Sequence, residues 1–353
     1  MSEAQGLVLT FALLAGAAAF LIALVLTPVV ARIATRLGVV DRPTGEGKKI
    51  HARSIPLLGG AAIFVSVAAV LLHLLATTGM LTDGEITPRH YAGFLFGGLI
   101  LMVGGFLDDR YNLRAKYQII APILAAVTVI TFGVEVDKLT NPFGGVIVLA
   151  WWQSDALVFV WLMTVMYTSK FLDGLDGLSA GVSAIGALMV AGLALTTAYF
   201  QPDVAVLASM CLGAMIGFLA FNLNPASIFL GEGGSTFVGF TIGTLAVISG
   251  GKLATALLVI AIPMMDVAWI IVRRWRTGGI SAIFKGDRKH LHHRLLDRGW
   301  SQRKIVASYY LVALVFGLSA LFLQSRQKLI ALGALVAFMV VVAIVLSKQD
   351  KRV

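Results

Sequence analysis

The sequence of residues 204–250 is VAVLASMCLGAMIGFLAFNLNPASIFLGEGGSTFVGFTIGTLAVISG, two apolar stretches separated by a short polar segment. A helix needs about 20 apolar residues to cross the roughly 30 Å hydrocarbon core of a bilayer, and 204–222 is long enough. The second stretch, 235–250, is shorter and rich in glycine, which is typical of a span that lines a cavity instead of facing lipid. The sequence therefore predicts two membrane helices joined by the segment 223–234.

The same pattern extends over the whole chain. Of its 353 residues 58% are hydrophobic and 13% are charged, whereas soluble domains are about 45–50% apolar and about 25% charged. This composition excludes a soluble globular domain, a disordered chain, a coiled coil and a disulfide scaffold. It predicts an all-α polytopic membrane protein with eleven transmembrane helices at 7–30, 59–79, 91–107, 117–134, 156–171, 178–199, 204–222, 235–250, 253–273, 306–324 and 328–347.

The basic residues predict the orientation of these spans. If the N-terminus is outside, 23 of the 28 Lys and Arg residues lie on the cytoplasmic side. The positive-inside rule then places the N-terminus outside and the C-terminus in the cytoplasm. We therefore expect one integral-membrane domain over 1–353, in the inner (plasma) membrane, with cytoplasmic loops near 32–58, 107–116, 170–178, 223–234 and 273–305.

Two features are predicted for the outer side. Residues 142–155 contain a short apolar run that ends in Trp151 and Trp152, and aromatic residues of this kind concentrate at membrane interfaces. We expect an interfacial loop or hairpin there. The acidic residues on this side, Asp203 among them, are expected to be solvated loop charges.

Further acidic residues lie at cytoplasmic span ends. Ionisable groups at membrane depth are costly and usually mark a site, and adjacent carboxylates repel each other, so that they favour a nearby metal or basic partner. The set predicts a functional site beside the basic cytoplasmic loops. Its members are Asp108, Asp109, Asp173, Asp176, Glu232 and Asp266.

Two glycine-containing motifs fit a site for phosphates. FLDGLDGL at 171–178 places two aspartates three residues apart, which in a helix would put both on one face. GEGGS at 231–235 would let the backbone approach a ligand at the start of a span, where helix N-terminal amides favour anions. It lacks the Lys-Ser/Thr pair of a Walker loop.

HLHHR at 290–294 lies in the largest basic loop. A histidine cluster is compatible with zinc, but no cysteine or fourth ligand accompanies it, and its cationic neighbours favour an anionic diphosphate. Nucleic acid is a poor fit, since the basic loops lie between membrane spans. A transporter usually binds substrate near the bilayer midplane, whereas these charges lie at the cytoplasmic edge and favour an enzyme.

These motifs also carry a family resemblance. The chain resembles the polyprenyl-phosphate N-acetylhexosamine-1-phosphate transferases, and the WecA/TagO branch more than the MraY branch. The matching stretches follow one another in order along most of the chain. They are DRP at 41–43, KKIH at 48–51, IPLLGG at 55–60, GFLDDR at 105–110, DGLDGL at 173–178, FNLNPA at 221–226, FLGEGGS at 229–235 and DRKHLHH at 287–293.

The resemblance implies a reaction in which undecaprenyl phosphate attacks the sugar-bearing phosphate of a UDP-N-acetylhexosamine, with the help of Mg²⁺. UDP-GlcNAc is the favoured donor, the UDP-MurNAc-pentapeptide of the MraY branch is the alternative, and a homodimer is possible. Asp108 would deprotonate or orient the lipid phosphate, supported by Asp109. The resemblance places Asp173, Asp176, Asn222 and Phe229 at the nucleotide, Lys49, His51 and Lys116 at phosphates, and His290, His292 and His293 at the diphosphate and sugar.

Two positions depart from the family pattern. Glu232 stands where the family usually has a metal-binding Asp, and Lys170 stands where it usually has Asn near the metal. An ammonium cannot ligate Mg²⁺, which requires octahedral oxygen ligands. One hypothesis is that Lys170 and Glu232 pair across the site and weaken the metal dependence. The alternatives are that Glu232 still binds Mg²⁺ while Lys170 contacts the substrate diphosphate, or that the chain is an inactive relative.

Overall fold

The protein is described from a computed structural model, which covers residues 3–43, 53–82, 84, 86–141, 144–250, 253–283 and 290–349. Most of this part is helical. The helices are α1 (Glu3–Arg36), α2 (Gly59–Thr77), α3 (Pro88–Tyr111), α4 (Ala115–Gln118), α5 (Ile120–Thr131), α6 (Trp151–Leu172), α7 (Leu178–Ala194), α8 (Pro202–Asn222), α9 (Gly231–Ile248), α10 (Leu253–Ile283), α11 (Leu291–Asp297), α12 (Gln302–Phe322) and α13 (Ser325–Gln349).

Each predicted span overlaps one of these helices. Within the described residues, seven helices are long and apolar enough to cross a membrane: α1, α2, α3, α6, α8, α10 over Leu253–Arg273, and α12. The chain is thus an all-α, multi-pass membrane protein, as the composition predicted. The count of eleven spans and the orientation stay predictions.

Two short antiparallel hairpins interrupt the helices. Strand β1 (Val40–Asp41) pairs with β2 (Ile55–Pro56), just before α2. Strand β3 (Lys138–Thr140) pairs with β4 (Val146–Val148), just before α6. This hairpin begins before the predicted segment 142–155, within which only β4 lies, and its place at the membrane interface stays a prediction. The aromatic residues of that segment begin α6, where Trp151 and Trp152 are exposed.

Helix α9 lies at the centre of the bundle. Every residue from 233 to 247 is buried, against α2, α3, α6 and α7. A helix buried on all sides need not be strongly apolar, because it faces other helices and not lipid. The glycine-rich span was predicted to avoid lipid, and α9 confirms this.

Glycines allow the neighbours of α9 to approach it closely. A Cβ added at Gly105 of α3 would lie 2.1 Å from the backbone nitrogen of Gly233, and one at Gly60 of α2 would lie 2.1 Å from the Cα of Gly234. Real Cβ atoms do not come so near, so these crossings require glycine. Small residues at helix contacts are typical of membrane bundles.

Several helices extend into the predicted cytoplasmic loops. Helix α10 continues to Ile283, about a third of the way through the predicted loop 273–305, which also contains α11. Helix α9 already begins at Gly231, so that Glu232 lies in its first turn. Hydropathy marks the thickness of the membrane, whereas a helix ends where its backbone is capped.

One outer acid departs from its prediction. Asp203 is 1% exposed and accepts the amide N–H groups of Ile86 at 2.9 Å and Val204 at 2.8 Å. The carboxylate fixes the start of α8 to the segment before α3, and is not a solvated loop charge. A buried carboxylate of this kind is stable because backbone donors replace its water.

Candidate active site

Five helix ends meet at one end of the bundle. The C-terminal ends of α3, α6 and α8 and the N-terminal ends of α7 and α9 surround a polar cavity of about 760 Å³. A second, apolar groove of about 700 Å³ lies between α3 and α5 and also reaches the start of α9. Glu232 lines both, so the two spaces adjoin at the start of α9.

The apolar groove follows α3 from Leu99 to Asp108, a length of about 13 Å at 1.5 Å per residue. Helix α5 forms its other wall, and Glu232 and Thr236 of α9 close it at the back. A polar end and an apolar length suit an amphiphile with an anionic or polar head. Its lining is Leu99, Ile100, Leu101, Val103, Gly104, Gly105, Leu107, Asp108, Leu113, Tyr117, Gln118, Ile120, Ala121, Pro122, Leu124, Glu232 and Thr236.

The polar cavity collects most of the residues that the sequence predicted for the site. Their neighbours include two residues of the first hairpin region, Asp41 and Arg53, and Gln302 of α12. Acidic, basic and aromatic groups thus share one space, as binding of a charged nucleotide requires. The predicted residues that line it are Asp109, Lys170, Asp173, Asp176, Asn222, Phe229, Glu232 and His293.

Asp108 lies where the groove ends. Its carboxylate accepts the Leu113 amide N–H at 2.9 Å and the Gln118 side-chain amide at 3.1 and 3.2 Å. Asn112, in the left-handed region at φ 51°, ends α3 and turns the chain so that Gln118 comes back to Asp108. The carboxylate is therefore held in one orientation, facing the groove.

Asp109 instead lies in the polar cavity. Both of its oxygens accept the backbone N–H of Glu232, each at 3.1 Å. The sequence predicted that the amides at the start of α9 would bind an anionic ligand and that the glycines would let it approach. In the structure an internal carboxylate takes this amide, and the glycines serve the packing of α9 against α2 and α3.

Lys170 and Glu232 form an ion pair across the site. The Lys170 ammonium also donates to the Gln118 side-chain carbonyl at 3.1 Å and lies 5.5 Å from the centre of the Tyr167 ring. Both charged side chains are 18% exposed. The pairing that the two departures from the family pattern suggested is present.

The Lys170–Glu232 ion pair affects whether the described residues can bind Mg²⁺. Among them, no group of three or more His, Cys, Asp or Glu side chains is arranged to hold a metal ion. The Glu232 carboxylate is engaged by an ammonium, which cannot itself be a ligand. The described residues therefore do not fit the metal site that the family pattern implies, and they form no zinc site at the histidines.

Asp173 and Asp176 lie in the turn between α6 and α7, not on one face of a helix as their spacing suggested. The turn is held at Asp176, which accepts the Asn224 side-chain amide at 2.9 Å and the Ala226 amide N–H at 3.0 Å. Burial, together with the nearby carboxylates of Glu232, Asp109 and Asp176, raises the pKa of Asp173 to about 8.

Asn222 and Phe229 bracket the loop between α8 and α9. The Asn222 side chain accepts the Gly177 N–H at 3.1 Å and donates to the Ile228 carbonyl at 2.8 Å, and the residue is 3% exposed. Its amide thus holds two backbone segments in place beside the cavity. Phe229 is fixed by backbone hydrogen bonds to Pro56 and Gly59, both 2.9 Å, and lines the cavity instead of facing the membrane.

The histidines occupy three different positions. His290 contacts Asp266, at 3.0 Å from Nδ1, and its ring stacks on Phe171. Asp266, the acid within α10, thereby anchors the start of α11. His292 and His293 pack over Gly174, where a Cβ would lie 2.5 Å from His292 Nε2.

Of these three, only His293 lines the polar cavity. Burial, together with the neighbouring His293 and His290, lowers the pKa of His292 well below its usual value. Both of its ring nitrogens are buried without a hydrogen-bond partner among the described residues. His292 therefore supports the turn at Gly174 as a neutral ring.

One predicted phosphate contact, Lys116, is not brought to the site, and two others lie on residues that the structure does not describe. Lys116 is exposed and its ammonium lies 4.9 Å from the centre of the Tyr117 ring, outside both cavities. Lys49 and His51 lie outside the described residues. The structure instead adds residues that sequence reasoning missed. Arg53 lies between two matched motifs and Asn224 within one of them, whereas Gln118 and Gln302 carry no sequence signal.

The protein is similar to known proteins over most of its length. The profile of Glycosyl transferase family 4 matches residues 91–250, from α3 to the end of α9. A probable undecaprenyl-phosphate N-acetylglucosaminyl 1-phosphate transferase of Bacillus subtilis is 32% identical, over 91% of this chain and 88% of that protein. A decaprenyl-phosphate N-acetylglucosaminephosphotransferase of Mycobacterium tuberculosis is 32% identical, over 92% of this chain and 86% of that protein. A phospho-N-acetylmuramoyl-pentapeptide-transferase of Desulforudis audaxviator is 30% identical, over 88% and 97%.

Proposed function

Since the chain belongs to glycosyl transferase family 4, in its WecA/TagO-like branch, we propose that it transfers N-acetylglucosamine-1-phosphate from UDP-GlcNAc to undecaprenyl phosphate and releases UMP. The chain is a membrane transferase of cell-envelope glycan synthesis, and its relatives are named as transferases of N-acetylglucosamine 1-phosphate with undecaprenyl or decaprenyl phosphate. UDP-GlcNAc as the donor and undecaprenyl phosphate as the lipid acceptor belong to this proposal.

The observation that carries this proposal is the junction of the two spaces. Asp108 ends an apolar groove and Asp109, the next residue, lines a polar cavity. A lipid phosphate in the groove would place its head group at Asp108, while a nucleotide in the polar cavity would place its diphosphate near Asp109, Lys170 and Glu232. A transferase that moves a sugar phosphate from a nucleotide to a lipid phosphate needs such an arrangement.

The transfer forms one bond to phosphorus and breaks another. An oxygen of the acceptor phosphate forms a bond to the sugar-bearing phosphorus, and the bond from that phosphorus to the bridging oxygen breaks, so that UMP leaves with the oxygen. Asp108, held by Gln118 and Leu113, orients the acceptor and takes its proton if the phosphate arrives protonated. Positioning of this kind is the main contribution of a protein to phosphoryl transfer.

The nucleotide side is built from the loop between α8 and α9. The Phe229 ring lines the polar cavity and offers a stacking surface for uracil. Asp173 and Asp176 lie across the cavity in the turn before α7. We assign the uridine to this side, with the sugar toward His293. No step is assigned to Mg²⁺, because the described residues do not fit it.

The side of the membrane on which the site lies is inferred from the distribution of Lys and Arg residues. In the predicted topology, the site residues lie on the side of the membrane that carries most of the Lys and Arg residues, which the positive-inside rule assigns to the cytoplasm. We infer an active site on the cytoplasmic face of the inner membrane, where nucleotide sugars are made available. The eleven spans and the outer N-terminus belong to the same proposal, and a homodimer stays a prediction.

The test is UMP release by the detergent-purified chain, given undecaprenyl phosphate with UDP-GlcNAc or, separately, with UDP-MurNAc-pentapeptide. We expect release with UDP-GlcNAc, and loss of it in Asp108→Asn at unchanged folding. Asp137→Asn, which removes an exposed carboxylate near the β3–β4 hairpin, is the matched control. Transport of a lipid or sugar without any UMP release would contradict the proposal and favour a transporter.

A further inference from the structure

The Lys170 ammonium lies between the two spaces. It lines the polar cavity, and both of its hydrogen-bond partners, Gln118 and Glu232, line the apolar groove. Gln118 in turn donates to Asp108, and the Glu232 backbone N–H donates to Asp109. Hydrogen bonds therefore connect Asp108 to Lys170 through Gln118, and Lys170 to Asp109 through the side chain and backbone of Glu232.

This position is where the reaction needs positive charge. Two anionic phosphates must approach each other, and a cation within a few ångströms reduces their repulsion. An ammonium is a compact charge with three donors. Gln118 and Glu232 take two of them, and the third has no acceptor among the described residues. It is available to a phosphate oxygen.

The same contact changes what Glu232 can do. A carboxylate that neutralises an ammonium attracts a divalent cation less, because the pair carries no net charge and the ammonium repels the metal. A metal at Glu232 would have to displace Lys170 from a contact that also involves Gln118. The carboxylates around Glu232 are then neutralised by the Lys170 ammonium instead of by a bound metal ion.

From this, and resting on the proposed function, we propose that Lys170 is the resident cation of the reaction centre: paired with Glu232, it supplies the positive charge that a divalent cation would otherwise supply, and it stabilises the phosphates during transfer. Glu232 is accordingly a positioning residue for Lys170 and not a metal ligand.

The first experiment measures metal binding without any reaction. The purified full chain, free of substrates, is titrated with Mn²⁺ and followed by electron paramagnetic resonance. We expect wild type and Glu232→Gln to give the same isotherm. Lys170→Asn should bind Mn²⁺ at least tenfold more tightly than wild type, and Lys170→Asn with Glu232→Gln should lose this gain. Lys138→Asn, which removes an exposed lysine on β3, is the matched control.

Two results would overturn the inference. One is Mn²⁺ binding by wild type that disappears in Glu232→Gln, and the other is Lys170→Asn with no gain in binding. If Lys170→Asn does not fold, Lys170→Gln keeps a donor to Glu232 without the charge and gives the same comparison.

The second experiment measures UMP release with EDTA or with Mg²⁺. We expect wild type to keep more than half of its rate in EDTA, and Lys170→Asn to depend on added Mg²⁺ by at least tenfold. Full loss of wild-type activity in EDTA contradicts the inference while leaving the transferase intact. Failure of the proposed function differs, since no donor then yields UMP in either condition and the Mn²⁺ titration still decides the role of Glu232.

Discussion

Gln118 donates its side-chain amide to both carboxylate oxygens of Asp108, at 3.1 and 3.2 Å. Its carbonyl oxygen accepts the Lys170 ammonium at 3.1 Å, and its amide also contacts the Leu113 carbonyl at 3.1 Å. All polar atoms of this side chain are therefore used within the site. Gln118 holds the acid at the end of the groove in a fixed position relative to the cation of the polar cavity.

Substitution of Gln118 should lower turnover more than binding. We expect Gln118→Leu to reduce kcat roughly tenfold, since one lost hydrogen bond corresponds to about 1–1.5 kcal/mol, with the KM for UDP-GlcNAc within twofold of wild type. Gln118→Glu keeps an acceptor for Lys170 but places a carboxylate against Asp108, and should reduce kcat further. If instead both KM values rise at constant kcat, Gln118 binds substrate and does not position Asp108.

Replacement of Gly105 by alanine should loosen the packing at the centre of the bundle. A Cβ there would lie 2.1 Å from the backbone nitrogen of Gly233, so Gly105→Ala forces α3 away from α9, at a cost of about 1–3 kcal/mol. We expect the thermal midpoint in detergent to fall by roughly 5 °C.

Gly333→Ala is the control for Gly105→Ala, because a Cβ at this exposed helical position meets nothing within 4 Å. Alanine is a better helix former than glycine, so its midpoint should be unchanged or slightly raised. Equal midpoints for the two variants would show that the α3–α9 crossing tolerates a methyl group.

The positions of the helices could be predicted from the sequence because apolar length is tied to membrane thickness. Their ends and neighbours could not. Helix α10 extends past the membrane boundary to Ile283, where hydropathy gives no signal. Asp203 looked like a surface charge because its backbone donors, Ile86 and Val204, become available only when the segments pack.

The candidate site was predicted in part for a similar reason. Charged residues at span ends are visible in sequence, and the joint departure at Lys170 and Glu232 suggested their pairing. Gln118 was invisible, because an amide at the start of a predicted span has no distinguishing pattern. Lys116 is exposed on the short helix α4, beside the Tyr117 ring, and its contact with a phosphate stays a prediction.

Filling the apolar groove should impair acceptor binding alone. Val103 lines the groove and is 53% exposed, so Val103→Trp places an indole in the path of the lipid chain. We expect the KM for undecaprenyl phosphate to rise at least fivefold, while the KM for UDP-GlcNAc stays within twofold. Val65→Trp, at a position on α2 that is 47% exposed and outside the groove, is the control. Equal effects of both variants would point to a general disturbance of the membrane helices.

Ionisation of Asp173 should make the substrate-free protein less stable as pH rises. Burial and the nearby carboxylates raise the pKa of Asp173 from 3.8 to about 8 in the folded chain. The folded state therefore binds this proton more tightly than the unfolded state, and its contribution to stability is lost between about pH 4 and about pH 8.

Asp173→Asn removes this dependence, because the amide stays neutral at every pH. We expect the thermal midpoint of the variant to exceed that of wild type by a wider margin at pH 9 than at pH 6, both measured without substrates. Asp137→Asn controls for the loss of an exposed carboxylate. A margin that is the same at both values would mean that Asp173 is already ionised at pH 6, and that the carboxylates around it are better neutralised than their burial implies.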